Sequence, residues 1–185
     1  MDYTDRKRNR LNGYDYSDSG YYFITICTKD RIEILWNSGV GDGVLDVPLC
    51  CAYDIKKVSL SVVGLVVQKH IRRIGTFYND IKIRQYVIMP NHIHMIVEIL
   101  QIVRGGTSRT PSPTNRLIPQ FVSTVKRYIN KELGYNIFQR SYHDRIIRNR
   151  AEYKVFSDYI HNNPLNWEKD CFCDPNAKLK NELLR

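Results

Sequence analysis

The strongest constraint on the fold lies in residues 80–100, where two runs of alternating apolar and polar residues flank the dipeptide Pro90-Asn91. A two-residue period is typical of β-strands, and a short turn between two such runs favours an antiparallel hairpin. The second run opens with the tripeptide His-Ile-His. Because side chains alternate across a strand, His92 and His94 must share one face of the sheet.

Two imidazoles at this spacing would repel each other if both were protonated. A divalent cation between them would remove that repulsion and hold both rings neutral. Two ordinary polar residues are the commoner interpretation of such a pair, so His92 and His94 alone do not establish a metal site. A hard cation would also need an oxygen ligand from elsewhere in the chain.

The rest of the chain alternates between strand-like and helix-like patterns. Helical spacing of apolar residues predicts helices over residues 59–75, 117–134 and 150–163, although valines near the start of the first would also suit a strand. Aromatic and β-branched residues predict strands over residues 20–31 and 142–149. Strands interleaved with helices, with one direct strand-to-strand turn, predict an α+β fold with helices packed on an antiparallel or mixed sheet.

The composition fits one globular domain, because the chain has 185 residues, 43% of them hydrophobic. Within that single domain we expect a basic N-terminal arm (about residues 1–19), a mobile loop (about 101–116) and a C-terminal tail (about 168–185). No stretch approaches the roughly 20 apolar residues of a membrane span, and the charged N-terminus does not resemble a signal peptide. The five cysteines have no zinc-binding spacing. A cytosolic protein with reduced thiols is expected.

The net charge of +9 is concentrated near the N-terminus and between residues 116 and 150. Such clustering favours a polyanionic partner such as nucleic acid, although charge runs commonly form only a solvated surface. The leading candidates for phosphate contacts are Arg6, Lys7, Arg8, Lys126, Arg127, Lys131, Arg145 and Arg148, with His143 beside them on the basic strand.

The last predicted helix carries a second set of candidate residues. Tyr153, Phe156 and Ile160 form one stripe, which should face the core. Tyr159 and Asn163 lie four residues apart on another stripe, so they stack one turn above the other. This helix therefore offers a phenol and an amide oxygen side by side, and the amide could supply the oxygen ligand that a cation needs.

Four segments occur in the order YYFITICTKDR, YVIMPNHIHMIVEI, FQRSYHDRIIRN and DYIHNNPLNW, over about residues 21–167. Together they resemble the single-tyrosine transposases of the HUH class, and within it the REP-associated tyrosine transposases of bacteria. The resemblance implies a ferredoxin-like or RRM-like fold. It also implies cleavage and rejoining of single-stranded DNA that contains hairpin repeats, with magnesium or manganese as cofactor.

The resemblance also implies roles for individual residues. His92 and His94 match the HUH motif, Tyr159 matches the nucleophile that forms a 5′-phosphotyrosine, and Asn163 matches the residue that completes the metal site. Insertion-sequence relatives often carry glutamine at the last position, whereas asparagine fits the REP-associated branch. Glu98 is expected to lie too far along its strand to be a direct ligand.

Two other functions stay open at this point. A regulator that binds hairpin DNA or RNA could keep the fold without transposition activity. A metal-dependent hydrolase of small molecules also uses His-x-His, but 185 residues are too few for the barrel that such enzymes form. The sequence leaves open the target hairpin, the general base, and the choice between a monomer and a homodimer.

Overall fold

The computed structural model describes residues 18–37, 59–100 and 117–173. Within these ranges the chain forms four strands and three α-helices. In chain order they are β1 (Gly20–Cys27), α1 (Val62–Ile74), β2 (Ile81–Ile88), β3 (His92–Ile99), α2 (Leu117–Leu133), β4 (His143–Ile147) and α3 (Arg150–Asn162). Short 3₁₀ turns follow β1 and α3, at Lys29–Arg31 and Asn163–Lys169.

Parts of the predicted organisation lie outside the described residues. They are residues 1–17 of the predicted arm with Arg6, Lys7 and Arg8, the predicted loop over residues 101–116, and residues 174–185 of the predicted tail. In the part of the chain that the structure describes, no helix is both long and apolar enough to cross a membrane.

The four strands form one antiparallel sheet in the order β2-β3-β1-β4. The predicted hairpin is confirmed, because β2 and β3 pair with Ile88 opposite Ile93. The Met89 N–H closes the turn by donating to the carbonyl of His92 at 2.8 Å. With helices after β1, β3 and β4, this order is that of a ferredoxin-like sheet, which confirms the expected fold class.

The two faces of the sheet are covered by different helices. Helices α1 and α2 pack on one face, where Tyr22, Ile24 and Met95 join the buried core. Helix α3 packs on the other face, where Ile96 belongs to a second, smaller apolar cluster. Because His94 alternates with Met95 and shares the face of Ile96, the histidine pair lies on the α3 side of the sheet.

Helix α1 and strand β1 both differ in length from the predictions. Helix α1 begins at Val62, because the Ser61 hydroxyl caps it by accepting the Gly64 N–H at 3.0 Å. Strand β1 ends at Cys27 rather than at residue 31, because Asp30 and Arg31 adopt left-handed conformations with φ of 54° and 55°. The chain therefore turns away from the sheet immediately after the strand.

The predicted start of α3 is confirmed. The side chain of Asn149 accepts the Glu152 N–H at 2.9 Å, and Glu152 in turn accepts the Arg148 N–H at 2.9 Å. The first bond satisfies a donor that the first helical turn leaves unpaired. The second differs from a standard capping box, because Glu152 accepts the N–H of the residue before the N-cap rather than that of the N-cap itself. The regular helix ends at Asn162, shortly before Pro164, and the chain continues as a 3₁₀ turn.

Gly64 is a position where α1 approaches neighbouring backbone closely, because an added Cβ would overlap the carbonyl oxygen of Leu35. We expect Gly64→Ala to lower the free energy of unfolding by about 1–3 kcal/mol, the usual cost of overpacking. Gly75→Ala is the matched control, since a Cβ there meets nothing within 4 Å and the backbone is already helical. Urea unfolding measures both, and equal stabilities would contradict the predicted clash.

Candidate functional site

His92 and His94 are both buried, and their ring centroids lie 4.4 Å apart at an interplanar angle of 67°. Burial lowers the pKa of each imidazole to about 3. The charge of Arg31 makes a smaller contribution to this lowering for His92, and His92 does so for His94, whose pKa the Asp170 carboxylate raises in opposition. Both rings are therefore neutral at physiological pH, which is the state that binds metal ions.

The side chain of Asn91 determines how His92 is oriented. Its amide nitrogen donates to the carbonyls of Phe172 at 2.8 Å and Arg31 at 3.2 Å, so its oxygen must be the atom 2.8 Å from His92 Nδ1. Because that oxygen can only accept, Nδ1 carries the proton and Nε2 carries a lone pair. Nε2 is buried and has no hydrogen-bond partner among the described residues.

His94 is oriented by a residue of the neighbouring strand. Its Nδ1 lies 2.8 Å from the hydroxyl of Thr25, the residue directly opposite it on β1. When Nδ1 donates to that hydroxyl, the lone pair of Nε2 is free for a ligand. The same Nε2 lies 3.4 Å from the hydroxyl of Tyr159.

Tyr159 is the predicted nucleophile, and its ring centroid lies 5.2 Å from that of His94. The pKa of its hydroxyl is raised to about 12, chiefly by burial and next by the negative charge of Asp170. The nearby Asn163 amide acts in the opposite direction and lowers this pKa. The free protein therefore holds the phenolic proton firmly. Tyr153 packs instead against Tyr21, with ring centroids 5.0 Å apart, on the apolar stripe of α3.

Asn163, the predicted third ligand, is 3% exposed at the end of α3. Its amide is near enough to the Tyr159 hydroxyl to lower the pKa of that group, but neither its oxygen nor its nitrogen reaches hydrogen-bond geometry with any group in the described part of the chain. Leaving a buried amide unpaired costs free energy, so this side chain, like His92 Nε2, has unused capacity for a ligand.

Asp170 joins the site although no sequence pattern indicated it. One of its carboxylate oxygens, one ring nitrogen of His92 and one of His94 all lie within 4.8 Å of each other. Its Oδ2 accepts the Tyr159 hydroxyl at 3.2 Å, and its Oδ1 accepts the Phe172 N–H at 2.8 Å. Asp170 follows a 3₁₀ turn, which has no strand or helix periodicity that would predict its orientation. The one sign of Asp170 in the sequence was that an acidic residue follows the helix that carries Tyr159 and Asn163.

These residues fit a divalent cation. Imidazole nitrogens together with carboxylate and amide oxygens are suitable ligands for several such metals, and the buried atoms without partners on His92 and Asn163 would gain one. The hydrogen bonds to both Nδ1 atoms provide the outer support typical of metal-binding histidines. Glu98 is not part of the group formed by His92, His94 and Asp170, and its carboxylate binds Arg84 instead.

Three of the predicted phosphate contacts lie on or next to β4. His143 is exposed. Thr25 of β1 pairs with His94 on one neighbouring strand and with His143 on the other, so the side chain of His143 lies on the same face of the sheet as that of His94. The Arg145 guanidinium lies 5.4 Å from the centroid of the Phe156 ring of α3. Arg148 is exposed at the start of the same helix.

The predicted contacts on α2 differ from these in position. Arg127 and Lys131 are exposed, but α2 covers the opposite face of the sheet, so they do not form one patch with the residues of β4. The Lys126 ammonium is occupied within the protein, where it donates to the carbonyls of Gln139 at 2.7 Å and Ser141 at 2.8 Å. Burial lowers the pKa of Lys126 to about 8. We therefore leave Lys126 out of the proposed DNA contacts.

Comparisons with known proteins agree with this fold. The chain is 32% identical over 181 residues to an uncharacterised protein of Haemophilus influenzae, covering 89% of this chain and 91% of that protein. The chain therefore belongs to the same family as that protein. No model of a known protein family matches the chain.

Among solved structures, the chain is similar to a REP-associated tyrosine transposase bound to a REP hairpin. The TM-score is 0.56 at 18% sequence identity, and the match covers 85% of this chain and 73% of that one. The fold implied by the resemblance to HUH transposases is thus confirmed.

Thr25 provides a test of the candidate metal site. Thr25→Val removes the hydroxyl that orients His94 but keeps the side chain's shape. We expect the affinity for Mn²⁺ to fall by roughly 10- to 100-fold, as for other outer-shell partners of metal-binding histidines. Thr25→Ser, which keeps the hydroxyl, should bind Mn²⁺ nearly as well as the wild type. Isothermal titration calorimetry measures both, and an unchanged affinity in Thr25→Val would argue against this support.

Proposed function

We propose that this protein is a metal-dependent endonuclease and strand transferase of the transposase kind, which acts on single-stranded DNA through Tyr159. The observation that carries the proposal is the hydroxyl of Tyr159, 3.4 Å from Nε2 of a buried, neutral histidine within a pair. The fold shared with a transposase solved with a REP hairpin supports the same function.

The proposed reaction exchanges one phosphate ester for another. The Tyr159 oxygen attacks phosphorus, a new bond forms to the tyrosine, and the bond from phosphorus to the 3′ oxygen breaks. The phenol loses its proton and the departing oxygen gains one, so the products are a 5′-phosphotyrosine and a 3′-hydroxyl. Because the phosphoester is retained, a 3′-hydroxyl of another strand can reverse the step.

The chief obstacle to this reaction is the phenolic proton, because the pKa of Tyr159 is raised to about 12. A divalent cation held by His92 and His94, which we propose to be magnesium or manganese, would supply positive charge that favours the phenolate and stabilises charge on the phosphate and leaving oxygen. Asn163, with its unpaired amide, would provide a further oxygen ligand.

A single-stranded substrate suits the depth of the site. His92 and His94 are almost completely buried, and Tyr159 is only partly exposed, with 40% of its surface accessible. Stacking and pairing would hinder a duplex from bringing its backbone this close, whereas an unpaired stretch beside a hairpin can bend into the site. We propose His143, Arg145 and Arg148 as phosphate contacts next to it.

Other parts of the proposal rest on sequence and on the related transposase. Repeat hairpins are the proposed substrate, and the cytosol is the proposed compartment. The basic residues outside the main group on β4 remain proposed contacts for a longer DNA. They are Arg6, Lys7, Arg8, Arg127 and Lys131.

Substitution of Tyr159 tests the proposed nucleophile. Tyr159→Phe removes only the hydroxyl, so we expect it to bind a hairpin oligonucleotide normally but to form no covalent adduct in Mn²⁺ or Mg²⁺. Denaturing gel electrophoresis of labelled oligonucleotide measures the adduct. Tyr153→Phe is the matched control, because Tyr153 lies on the same helix but packs on Tyr21, and it should form the adduct as the wild type does.

Three results would contradict different parts of the proposed function. An adduct formed by Tyr159→Phe would show that another tyrosine is the nucleophile. A wild-type protein that binds the hairpin tightly but never cleaves it with either metal would favour the binding regulator. Cleavage that is insensitive to chelation of divalent cations would exclude the proposed metal dependence.

Salt dependence tests the proposed phosphate contacts. Each phosphate that a protein cation neutralises releases counterions. Every such contact therefore adds roughly 0.7 to 0.9 to the steepness with which log affinity falls against log salt concentration. We expect the double variant Arg145→Ala, Arg148→Ala to lose roughly 1.4 to 1.8 from that slope. Arg73→Ala, an exposed site on α1 across the sheet, should change it little. Fluorescence anisotropy over a salt series gives the slopes, and equal slopes would contradict the proposed contacts.

A further inference from the structure

We infer that Asp170 is a ligand of the cation that the proposed function requires, so that two imidazoles and a carboxylate hold it. This inference rests on the proposed metal site and adds a residue to it. The geometric basis is that one carboxylate oxygen and one ring nitrogen from each of His92 and His94 lie within 4.8 Å of one another. A single ion between them needs only a small contraction of this group.

Contacts on both sides fix Asp170 at this position. Before it, the largely buried Trp167 packs against the rings of His92 at 5.9 Å and Trp36 at 6.4 Å. After it, the Phe172 ring lies 4.6 Å from His92, and the Phe172 carbonyl accepts the Asn91 amide. The backbone around Asp170 is therefore anchored to the histidine pair itself.

The carboxylate of Asp170 has capacity for a cation in addition to its present partners. A carboxylate offers about four lone-pair sites. Within the described structure Asp170 accepts hydrogen bonds from the Tyr159 hydroxyl on Oδ2 and from the Phe172 N–H on Oδ1. The remaining sites can coordinate a metal while both bonds persist.

Charge gives a second reason for a carboxylate ligand. An imidazole that coordinates a metal does so as a neutral ligand, and the amide of Asn163 is neutral as well. A divalent cation bound only by these groups would have no compensating charge in a buried site, which is costly. Asp170 supplies a negative charge, and through Oδ2 it also connects the metal site to the hydroxyl of Tyr159.

Direct measurement of Mn²⁺ binding, without DNA, tests this inference. The full-length wild type, Asp170→Asn, His94→Ala and Tyr159→Phe are titrated with Mn²⁺, and the free ion is followed by electron paramagnetic resonance. Asp170→Asn removes the charge but keeps an oxygen that can accept the Phe172 N–H. We expect it to lose at least roughly tenfold in affinity, since even outer-shell substitutions cost that much.

Two controls separate a ligand from a mere neighbour. Glu168→Gln removes an exposed carboxylate two residues earlier on the same segment, and its Mn²⁺ affinity should equal that of the wild type. Tyr159→Phe removes the hydrogen bond to Oδ2 and should also bind Mn²⁺ normally. The wild type labelled with ¹³C at the aspartate carboxyls should show a strong ¹³C coupling to bound Mn²⁺, a readout that does not depend on a variant that folds.

The outcomes distinguish this inference from the proposed function. If Asp170→Asn binds Mn²⁺ as the wild type does while His94→Ala does not, or if the labelled protein shows no carboxyl coupling, Asp170 is not a ligand and the histidine site stands. If the wild type itself fails to bind Mn²⁺, the metal-dependent function and the role of Asp170 are both overturned.

Discussion

The arrangement of the site depends on the buried side chain of Asn91, at the turn between β2 and β3. Its amide nitrogen donates to two carbonyls, one just after β1 and one in Phe172, and its oxygen faces Nδ1 of His92. Its backbone carbonyl accepts both the N–H and the hydroxyl of Thr28. A single buried amide therefore joins three separate segments and at the same time determines which nitrogen of His92 is free.

The ferredoxin-like sheet brings the other components to the same place. The histidines are on β3, and β1 beside it contributes Thr25, which orients His94. Helix α3 crosses this face and carries Tyr159, while the segment after it returns to the histidine pair with Asp170. The candidate ligands and the proposed nucleophile thus occupy one end of a face that is otherwise apolar, and the opposite face holds the main core.

Local periodicity predicted the parts of this account that depend on one element at a time. The hairpin, the shared face of His92 and His94 and the capped start of α3 follow from alternation, turn chemistry and capping, all of which act over a few residues. The predicted end of β1 was wrong because two residues with left-handed backbone conformations interrupt a sequence that otherwise suits a strand. The roles of Asn91 and Asp170 depend on contacts between distant segments, such as the hydrogen bond from Asn91 to Phe172, which lie 81 residues apart in the sequence. The periodicity of apolar residues cannot predict such contacts, because it reflects only local structure. The roles of His92, His94, Tyr159 and Asn163 in catalysis remain predictions.

We propose above all that His92 and His94 bind one cation beside the hydroxyl of Tyr159. Anomalous diffraction from crystals soaked in Mn²⁺, recorded on both sides of the manganese absorption edge, tests it most directly. We expect a strong peak within coordination distance of Nε2 of both histidines and next to the Tyr159 oxygen. A map at saturating Mn²⁺ with no peak at this position, or with peaks only at other sites, would contradict it.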